Sequence, residues 1–242
     1  MMQKILFKNS RISGGFRNEW KYPLTQDKWR PLEKKLKQLL TPDKNAGEDG
    51  KYRIHSLYFD DPDNSCMSDN DAGSGSRKKF RIRYYQDSSQ TLRLECKEKL
   101  YGRCKKLSCP ISLPEYEKLI SGRTAELLSE TEDPLLKKFC LCFLHGVLSP
   151  RAIIDYERTA YVEEISNIRI TYDEHISVSD QFSEFLRGDY LRNPLMGADG
   201  VLEVKFDYVL PGYLTRLLSN GTLKESSFSK FYLGRLQQRR AL

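Results

Sequence analysis

The sequence predicts an α+β protein organised around an antiparallel β-barrel. Short segments that alternate residue types with period two recur along the chain, each bounded by Gly, Pro, Asn or Asp. There are eight of them, enough strands to close a barrel. Helical periodicity appears only between them, scattered along the chain and not collected at one end. In order, a strand over Gly15 to Pro23 leads into a helix over Thr25 to Leu40, whose Trp29, Leu32, Leu36, Leu39 and Leu40 fall on one face. Pro42 and Asp43 stop that helix. Strands follow at Tyr52 to Phe59, Lys78 to Tyr85, Gln90 to Lys99 and Cys104 to Ser112, while Pro42 to Gly50 and Pro62 to Ser76 read as exposed loops rich in Asp, Asn, Ser and Gly. Ser112 with Glu115 three residues on resembles a capping box and opens a helix through Tyr116, Leu119 and Ile120, which Gly122 ends. A longer helix runs from Pro134 to about Val147, and strands follow at Arg151 to Val162 and Ile168 to Asp173. A short helix over Gln181 to Leu186, a strand over Leu202 to Tyr208, and helices over Tyr213 to Ser219 and Ser229 to Arg240 complete the chain. Asn220 and Gly221 suit the stop between the last two. With no linker composition and no internal repeat, residues 1–242 read as one domain.

Of the 242 residues 39% are hydrophobic, enough to fill a core, which excludes a disordered tail. Forty Lys and Arg against 33 Asp and Glu leave a net charge of +7, which favours an anionic partner without naming one. No stretch approaches the roughly 18 uninterrupted apolar residues of a membrane-spanning helix; the nearest, Phe139 to Leu148, is short and contains His145 and Gly146. Met1 to Ser10 lacks the hydrophobic region of a secretory signal, so a cytoplasmic location is expected. The six cysteines form no CxxC pair and read as reduced packing thiols. With three histidines in the chain, a multi-histidine metal site or a Ser/His/Asp hydrolase is disfavoured.

The charges within the strands keep a fixed parity. Residues i and i+2 share a face, so Arg17, Glu19 and Lys21 of FRNEWKY lie on one side and Trp20 and Tyr22 on the other. The pattern recurs with Arg81 and Arg83 in FRIRYY, with Arg93, Glu95, Lys97 and Lys99 in LRLECKEKL, and with Tyr156 and Arg158 in DYERTAY. Arg169, Thr171 and Asp173 in IRITYD and Glu203, Lys205 and Asp207 in LEVKFD continue it. A half-exposed antiparallel sheet has a charged solvent face as a matter of course. These faces, however, favour Arg and Lys accompanied by single Glu residues over Thr, Ser and Gln. Turned inward in a closed barrel, they would repel one another unless a polyanion filled the lumen, so the inferred ligand is linear and highly negative. Arg and Lys bind phosphoryl oxygens by charge-assisted hydrogen bonds. A carboxylate among them makes sense as a ligand for Mg²⁺ or Mn²⁺, which bridges carboxylates to phosphate oxygens; Glu19 and Glu203 are the candidates. The aromatics in FRIRYY alternate with the arginines and are expected on the core side, which argues against base stacking and a nucleic-acid partner. Asp60, Asp61 and Asp63 read as turn formers, His55 as a packing or hydrogen-bonding residue, and Arg235 to Arg240 as a solvated helix.

The series RNEWKY, SLYFDD, KFRIRYY, LECKEK followed by GRCKKLS, YERTAY, IRITYD, VLEVKF and SKFYLG resembles the VTC domain, the polyphosphate polymerase branch of the triphosphate tunnel metalloenzymes, in the family's order from about Arg17 to about Gly234. The resemblance implies the triphosphate tunnel fold, an eight-stranded antiparallel tunnel with a basic lumen flanked by helices. It also implies transfer of the ATP γ-phosphoryl group to inorganic polyphosphate, with Mn²⁺ or Mg²⁺ as cofactor. By the same resemblance Lys21, Arg81, Arg83, Lys97, Arg158 and Lys230 carry the transfer. Lys99, Lys105, Lys106, Tyr156, Arg169, Lys205 and Ser229 bind substrate phosphates, Lys105 being a near competitor of Lys106 for one family position. Glu203 matches the metal-binding glutamate. Two positions depart from the eukaryotic members: Ser227 stands where a lysine is expected and Lys99 where a histidine is. With no SPX domain or membrane helices in view, the likeness is to the stand-alone prokaryotic form. The same tunnel would serve a triphosphatase, with Glu19 as a second metal-binding or water-orienting carboxylate, or a non-catalytic polyphosphate sensor, against which the presence of Glu203 argues.

Overall fold

All eight strands that the alternation predicts form, and they close on one another. The computed structural model describes residues 13–86, 88–101, 103–196, 199–219 and 223–240; Met1 to Ser10 and the suggested helix stop at Asn220 and Gly221 lie outside the described residues. The elements are β1 (Ser13–Pro23), α1 (Gln26–Leu39), β2 (Thr41–Pro42), β3 (Lys51–Asp60), α2 (Ser65–Asp71), β4 (Ser76–Tyr85), β5 (Ser88–Leu100) and β6 (Arg103–Ile111). Then come α3 (Leu113–Ile120), α4 (Thr124–Glu130), α5 (Pro134–Leu144), β7 (Ser149–Glu163), β8 (Ile168–Ser179), a 3-10 turn (Phe182–Glu184), β9 (Asn193–Pro194), β10 (Gly200–Phe206), α6 (Gly212–Leu218) and α7 (Lys230–Arg240). The long strands follow the order β7-β3-β4-β5-β6-β1-β10-β8, and pairing of β7 with β8 closes the ring, with the two-residue strands β2 and β9 added outside it. Every neighbouring pair is antiparallel.

Alternation along the strands sends apolar side chains outward, and helices cover them. On one flank Leu57, Phe80, Ile82, Leu92 and Leu94 pack against Tyr116 and Leu119 of α3, Leu127 of α4 and Leu136 and Phe139 of α5. On the other, Trp29, Leu32 and Leu36 of α1 cover Ile170, Tyr172, Leu202 and Val204 together with Leu214 of α6. The third cluster lies partly inside: Ile154 and Val178 have the parity of lumen residues, and Phe231 of α7 packs with them. Gly234 makes this approach possible, since a Cβ there would stand 2.7 Å from Ile154 Cδ1. Helix α7 thereby crosses one end of the barrel and fixes where its first residue, Lys230, points.

Several sequence expectations change. The supposed loop Pro62 to Ser76 contains α2, whose Cys66 and Met67 are buried. Its polar composition hid it, because Asp60 and Asp61 do cap work: their carboxylates accept the backbone N–H of Cys66 at 3.1 Å and of Ser65 at 2.8 Å. Helix α4, seven residues long, had no start signal in the sequence, and Arg123 provides no side-chain cap. The helix from Pro134 ends at Leu144, ahead of Gly146 at φ +67°. Gln181 to Leu186 forms only the 3-10 turn. Leu39 is exposed, outside the apolar face assigned to it. Strand β8 runs six residues past Asp173, through an irregularity opposite Asp155 and Glu157 where His175 takes φ +51°.

Gly200 opens β10 against the ring of Tyr172, which stacks on Trp29 at 4.5 Å and donates its hydroxyl to the Leu24 carbonyl at 3.2 Å. A Cβ on Gly200 would meet Tyr172 Cζ and Oη at 2.5 Å, and the pinned ring has nowhere to go. Gly200→Ala is therefore expected to cost about 1–3 kcal/mol in urea unfolding. An unchanged midpoint would show that the ring yields.

Candidate functional site

The charged faces point inward. They enclose a cavity of about 1200 Å³ to which all eight long strands and the segment before α7 contribute. Thirteen Lys and Arg side chains and three carboxylates, Glu19, Glu203 and the exposed Glu225, line it among the described residues. The residues expected to bind phosphate or metal are there: Lys21 and Glu19 from β1, Arg81 and Arg83 from β4, Lys97 and Lys99 from β5, Lys105 and Lys106 from β6, Tyr156 and Arg158 from β7, Arg169 from β8, Glu203 and Lys205 from β10, and Ser229 and Lys230 at α7. Lys106 Nζ lies 3.1 Å from Glu95. Lys105 has the parity of Leu107 and Cys109, which belong to the outer core. Alternation thus favours Lys106 as the inward lysine.

Such a density of cations requires counter-charges: Glu19 and Glu203 supply two from the lining, and the buried Glu95 and Asp173 two more from the wall. Glu95, 1% exposed, receives Arg81 Nη2 at 2.6 Å, with Lys106 at 3.1 Å and Arg83 Nη1 at 3.8 Å. Asp173 takes a two-pronged contact from Arg158 at 2.6 and 2.7 Å and Lys230 Nζ at 2.6 Å. Glu203 faces Lys205 at 3.0 Å, Lys230 at 3.2 Å, Lys21 at 3.4 Å and Arg158 at 3.9 Å. Glu19 holds Lys97 at 2.6 Å and Lys205 at 3.5 Å. Burial would push each carboxyl up, but the cations win: Arg81, Arg83 and Lys106 hold Glu95 well below the usual range, as do Lys205, Lys230, Lys21 and Arg158 for Glu203 and Lys97, Lys21 and Lys205 for Glu19. Lys205, between Glu19 and Glu203, is itself pushed down by burial, with Arg158 and Lys97 adding to the effect.

Sequence reasoning placed Glu95 and Asp173 on the charged face but missed their role, which parity alone reveals once the barrel is known to close. It also misplaced the aromatics. Tyr84 does face outward, stacked on His55 at 4.5 Å. Tyr85, however, has the parity of the arginines and lines the cavity with Tyr52, Tyr58, Tyr156, Phe228 and Phe231. These rings sit against cations: Lys230 over Tyr156 at 4.8 Å, Lys79 over Phe231 at 5.0 Å and Arg81 over Tyr58 at 5.6 Å. Burial alone would raise the Tyr58 phenol, yet Arg81, whose Nη1 donates to it at 2.8 Å, and Arg83 bring it down to about 8. Arg93 turns to Ser108 Oγ at 3.1 Å and Asp207 to Arg17 at 2.6 Å, and neither lines the cavity. His55 serves structure as expected, 3.1 Å from Asp155 on the outer wall.

Glu19 and Glu203 lie on adjacent strands, offset by two residues in register, with Lys205 between them. Their hard oxygens suit Mg²⁺ or Mn²⁺. A second group with metal-ligand chemistry, Glu157, Glu174 and His175, stands outside the lumen, where Lys51 Nζ already neutralises Glu174 at 2.6 Å. No helix among the described residues is long and apolar enough to cross a membrane.

A family model, the VTC domain, matches residues 16–238. The chain belongs to the VTC domain family. No curated protein matches its sequence. Among solved structures, the VTC chain is similar to a protein from Hippeastrum described as a putative adenylyl cyclase with a dominant triphosphatase activity. The two share 14% identity over 92% of this chain and 95% of that one, with a TM-score of 0.56. A putative adenylate cyclase from Bacillus halodurans gives 12% identity, 88% and 93% coverage and a TM-score of 0.50. At these identities the likeness is one of fold, and it places this VTC protein in the triphosphate tunnel architecture.

The Glu95 carboxyl is held below its ordinary value of 4.5, so its contribution to stability is complete above that value and is lost as pH falls through the lower, folded one. Glu95→Gln should cost about 3–5 kcal/mol at neutral pH in urea unfolding, because it leaves buried guanidinium uncompensated. The gap between variant and wild type should narrow only below pH 4.5. A gap independent of pH would mean that no ionised carboxylate stands there.

Proposed function

We propose that this VTC-domain protein is a metal-dependent polyphosphate polymerase that transfers the γ-phosphoryl group of ATP to a growing inorganic polyphosphate chain inside the barrel. The observation that carries the reading is the closed lumen in which thirteen Lys and Arg side chains face three carboxylates. A lumen so charged suits a ligand that brings a negative charge every few ångströms along its length, and membership of the VTC family agrees.

Phosphoryl transfer asks little covalent chemistry of the protein and much positioning. In this reading Lys99, Lys106, Tyr156, Arg169, Lys205 and Ser229 hold substrate phosphates, Lys106 taking the position for which Lys105 competed. Lys21, Arg81, Arg83, Lys97, Arg158 and Lys230 surround the transferred group and stabilise charge on its oxygens. The bond from the γ-phosphorus to the bridging oxygen of ADP breaks, and a new bond forms to a terminal oxygen of the chain. That oxygen is already ionised at neutral pH, so the residues need not remove a proton. Glu203 and Glu19 would hold the divalent ion, which when bound screens charge between the two reacting phosphates. The guanidiniums are pinned before substrate arrives, Arg158 by Asp173 and Arg81 by Glu95, so little reorganisation is left for the reaction.

One observation favours a second reading. Glu19 gives the lumen a second carboxylate that could orient water, and the Hippeastrum protein of the same fold is described as a triphosphatase. With water as acceptor the same geometry would release phosphate.

Purified protein incubated with γ-labelled ATP and Mn²⁺, with and without a short polyphosphate seed, separates the readings on a gel. The expected result is a ladder of lengthening chains. Free phosphate alone would make the protein a triphosphatase, and tight polyphosphate binding without turnover would make it a sensor. Glu203→Gln is expected to lose turnover by at least about 100-fold, the scale of losing one electrostatic contact in the transition state, while still binding polyphosphate. Equal loss of both would remove the metal role from Glu203.

A further inference from the structure

Buried hydroxyls in the barrel wall take up arginine side chains. Ser56 Oγ accepts from Arg83 Nε at 3.1 Å, and Ser108 Oγ accepts from Arg93 Nε at 3.1 Å. Thr171, 1% exposed, is the one hydroxyl among the described residues whose oxygen is wholly shut off from solvent and yet has no hydrogen-bond partner. Its surroundings make this odd, because charged groups flank it along β8. Arg169, two residues before, reaches away to Asp43 at 2.5 Å and to the Tyr52 hydroxyl at 2.8 Å. Asp173, two residues after, is taken by Arg158 and Lys230. Across the strands Thr171 is paired with Ala160 of β7, which offers it no polar side-chain atom, and with Glu203 of β10. Directly opposed residues on one face have Cβ atoms about 4.5–5.5 Å apart, so the Thr171 and Glu203 side chains rise from neighbouring points of the inward face.

A buried hydroxyl left unpaired costs about 1–3 kcal/mol. Valine has the same shape and suits a strand equally well, so the oxygen implies a partner that arrives from outside the chain. The neighbouring Glu203 indicates that partner. Glu203 is the candidate metal ligand of the lumen, and a threonine hydroxyl with a carboxylate is a hard-oxygen pair of the kind that holds Mg²⁺ or Mn²⁺ in nucleotide-binding loops. We propose that Thr171 belongs to the divalent-ion site, its hydroxyl oxygen contributing beside Glu203 to the ion or to a water bound on it. The inference rests on the metal-dependent reading above and adds to it a residue that positions the ion.

The test reads ion binding without turnover. Mn²⁺ is titrated into nucleotide-free protein and followed by the paramagnetic resonance of the free ion, for the wild type, Thr171→Val, Thr171→Ala and Thr171→Ser. Valine and alanine should weaken Mn²⁺ binding by about 10–100-fold, the usual effect of removing a group that supports a metal ligand. Serine should restore most of it, and polyphosphate binding in chelator should be the same in all four. Wild-type Mn²⁺ affinity in the valine or the alanine protein would overturn the role of Thr171 while leaving the metal reading intact. A wild type that binds no Mn²⁺ would overturn both. Should the valine protein fail to fold, alanine and serine still decide, since only a ligand role makes them differ in Mn²⁺ affinity.

Discussion

Everything in this protein turns on burying like charges in a closed space. Side chains on β1, β4, β5, β6, β7, β8, β10 and α7 bring thirteen cations to one cavity. At an effective dielectric of about 20, two such charges at 4 Å repel by about 4 kcal/mol, so an uncompensated lumen of this density would tear the barrel open. The four buried carboxylates make the arrangement tenable, and each ties together strands that the backbone ladder alone joins less firmly. Glu95 on β5 gathers cations from β4 and β6. Asp173 on β8 gathers them from β7 and α7. Glu203 on β10 reaches β1, β7 and α7. Glu19 reaches from β1 across β6 to Lys97 on β5, spanning the seam where, among the described residues, β1 and β6 match only at Ser13 with Lys106 and Arg17 with Cys104.

The same carboxylates set what the cavity can bind. A buried ion pair gains less than its distance suggests, because both partners have left water. A polyanion entering the lumen meets cations that are partly desolvated and, at Arg81, Arg83 and Arg158, already aimed, so part of the cost of binding has been met in folding. A ligand with one or two charges could reach only a few of these groups. A linear chain of phosphates can satisfy many in succession, which is the physical case for a polymeric or triphosphate ligand over a small anion.

How much of this was legible in the sequence depends on the length scale of the signal. Period-two alternation is local, and it located all eight barrel strands and put Lys21, Arg81, Lys97, Arg158 and Glu203 on inward faces. Helix α2 was lost because its Asp, Asn and Ser residues are turn formers in isolation, and only packing of Cys66 and Met67 against the barrel makes them helical. Tyr85 faces the lumen although the alternation of FRIRYY predicts its aromatics on the core side, because two consecutive tyrosines must face opposite ways. The counter-ion role of Glu95 and Asp173 is not a local property at all. It exists only when β5 meets β4 and β6, and β8 meets β7 and α7.

The position of α7 shows why that non-local layer matters for chemistry. Lys230 is the first residue of a C-terminal helix, far in sequence from the barrel it completes, yet it touches both Asp173 and Glu203. Its placement depends on a chain of steric facts: Gly234 lets the helix approach Ile154 and Val178, Phe231 fills the space beside them, and Ser226 donates its backbone N–H to the Lys21 carbonyl at 2.9 Å while Lys21 Nζ returns to the Phe228 carbonyl at 2.9 Å. A side chain larger than hydrogen at position 234 would lift the helix, withdraw Lys230, and leave Asp173 and Glu203 each short of a cation. The apolar contact of a helix with a barrel end is therefore part of the electrostatics of the lumen. In a cavity built from balanced buried charge, packing errors at a distance appear as unpaired charge at the centre.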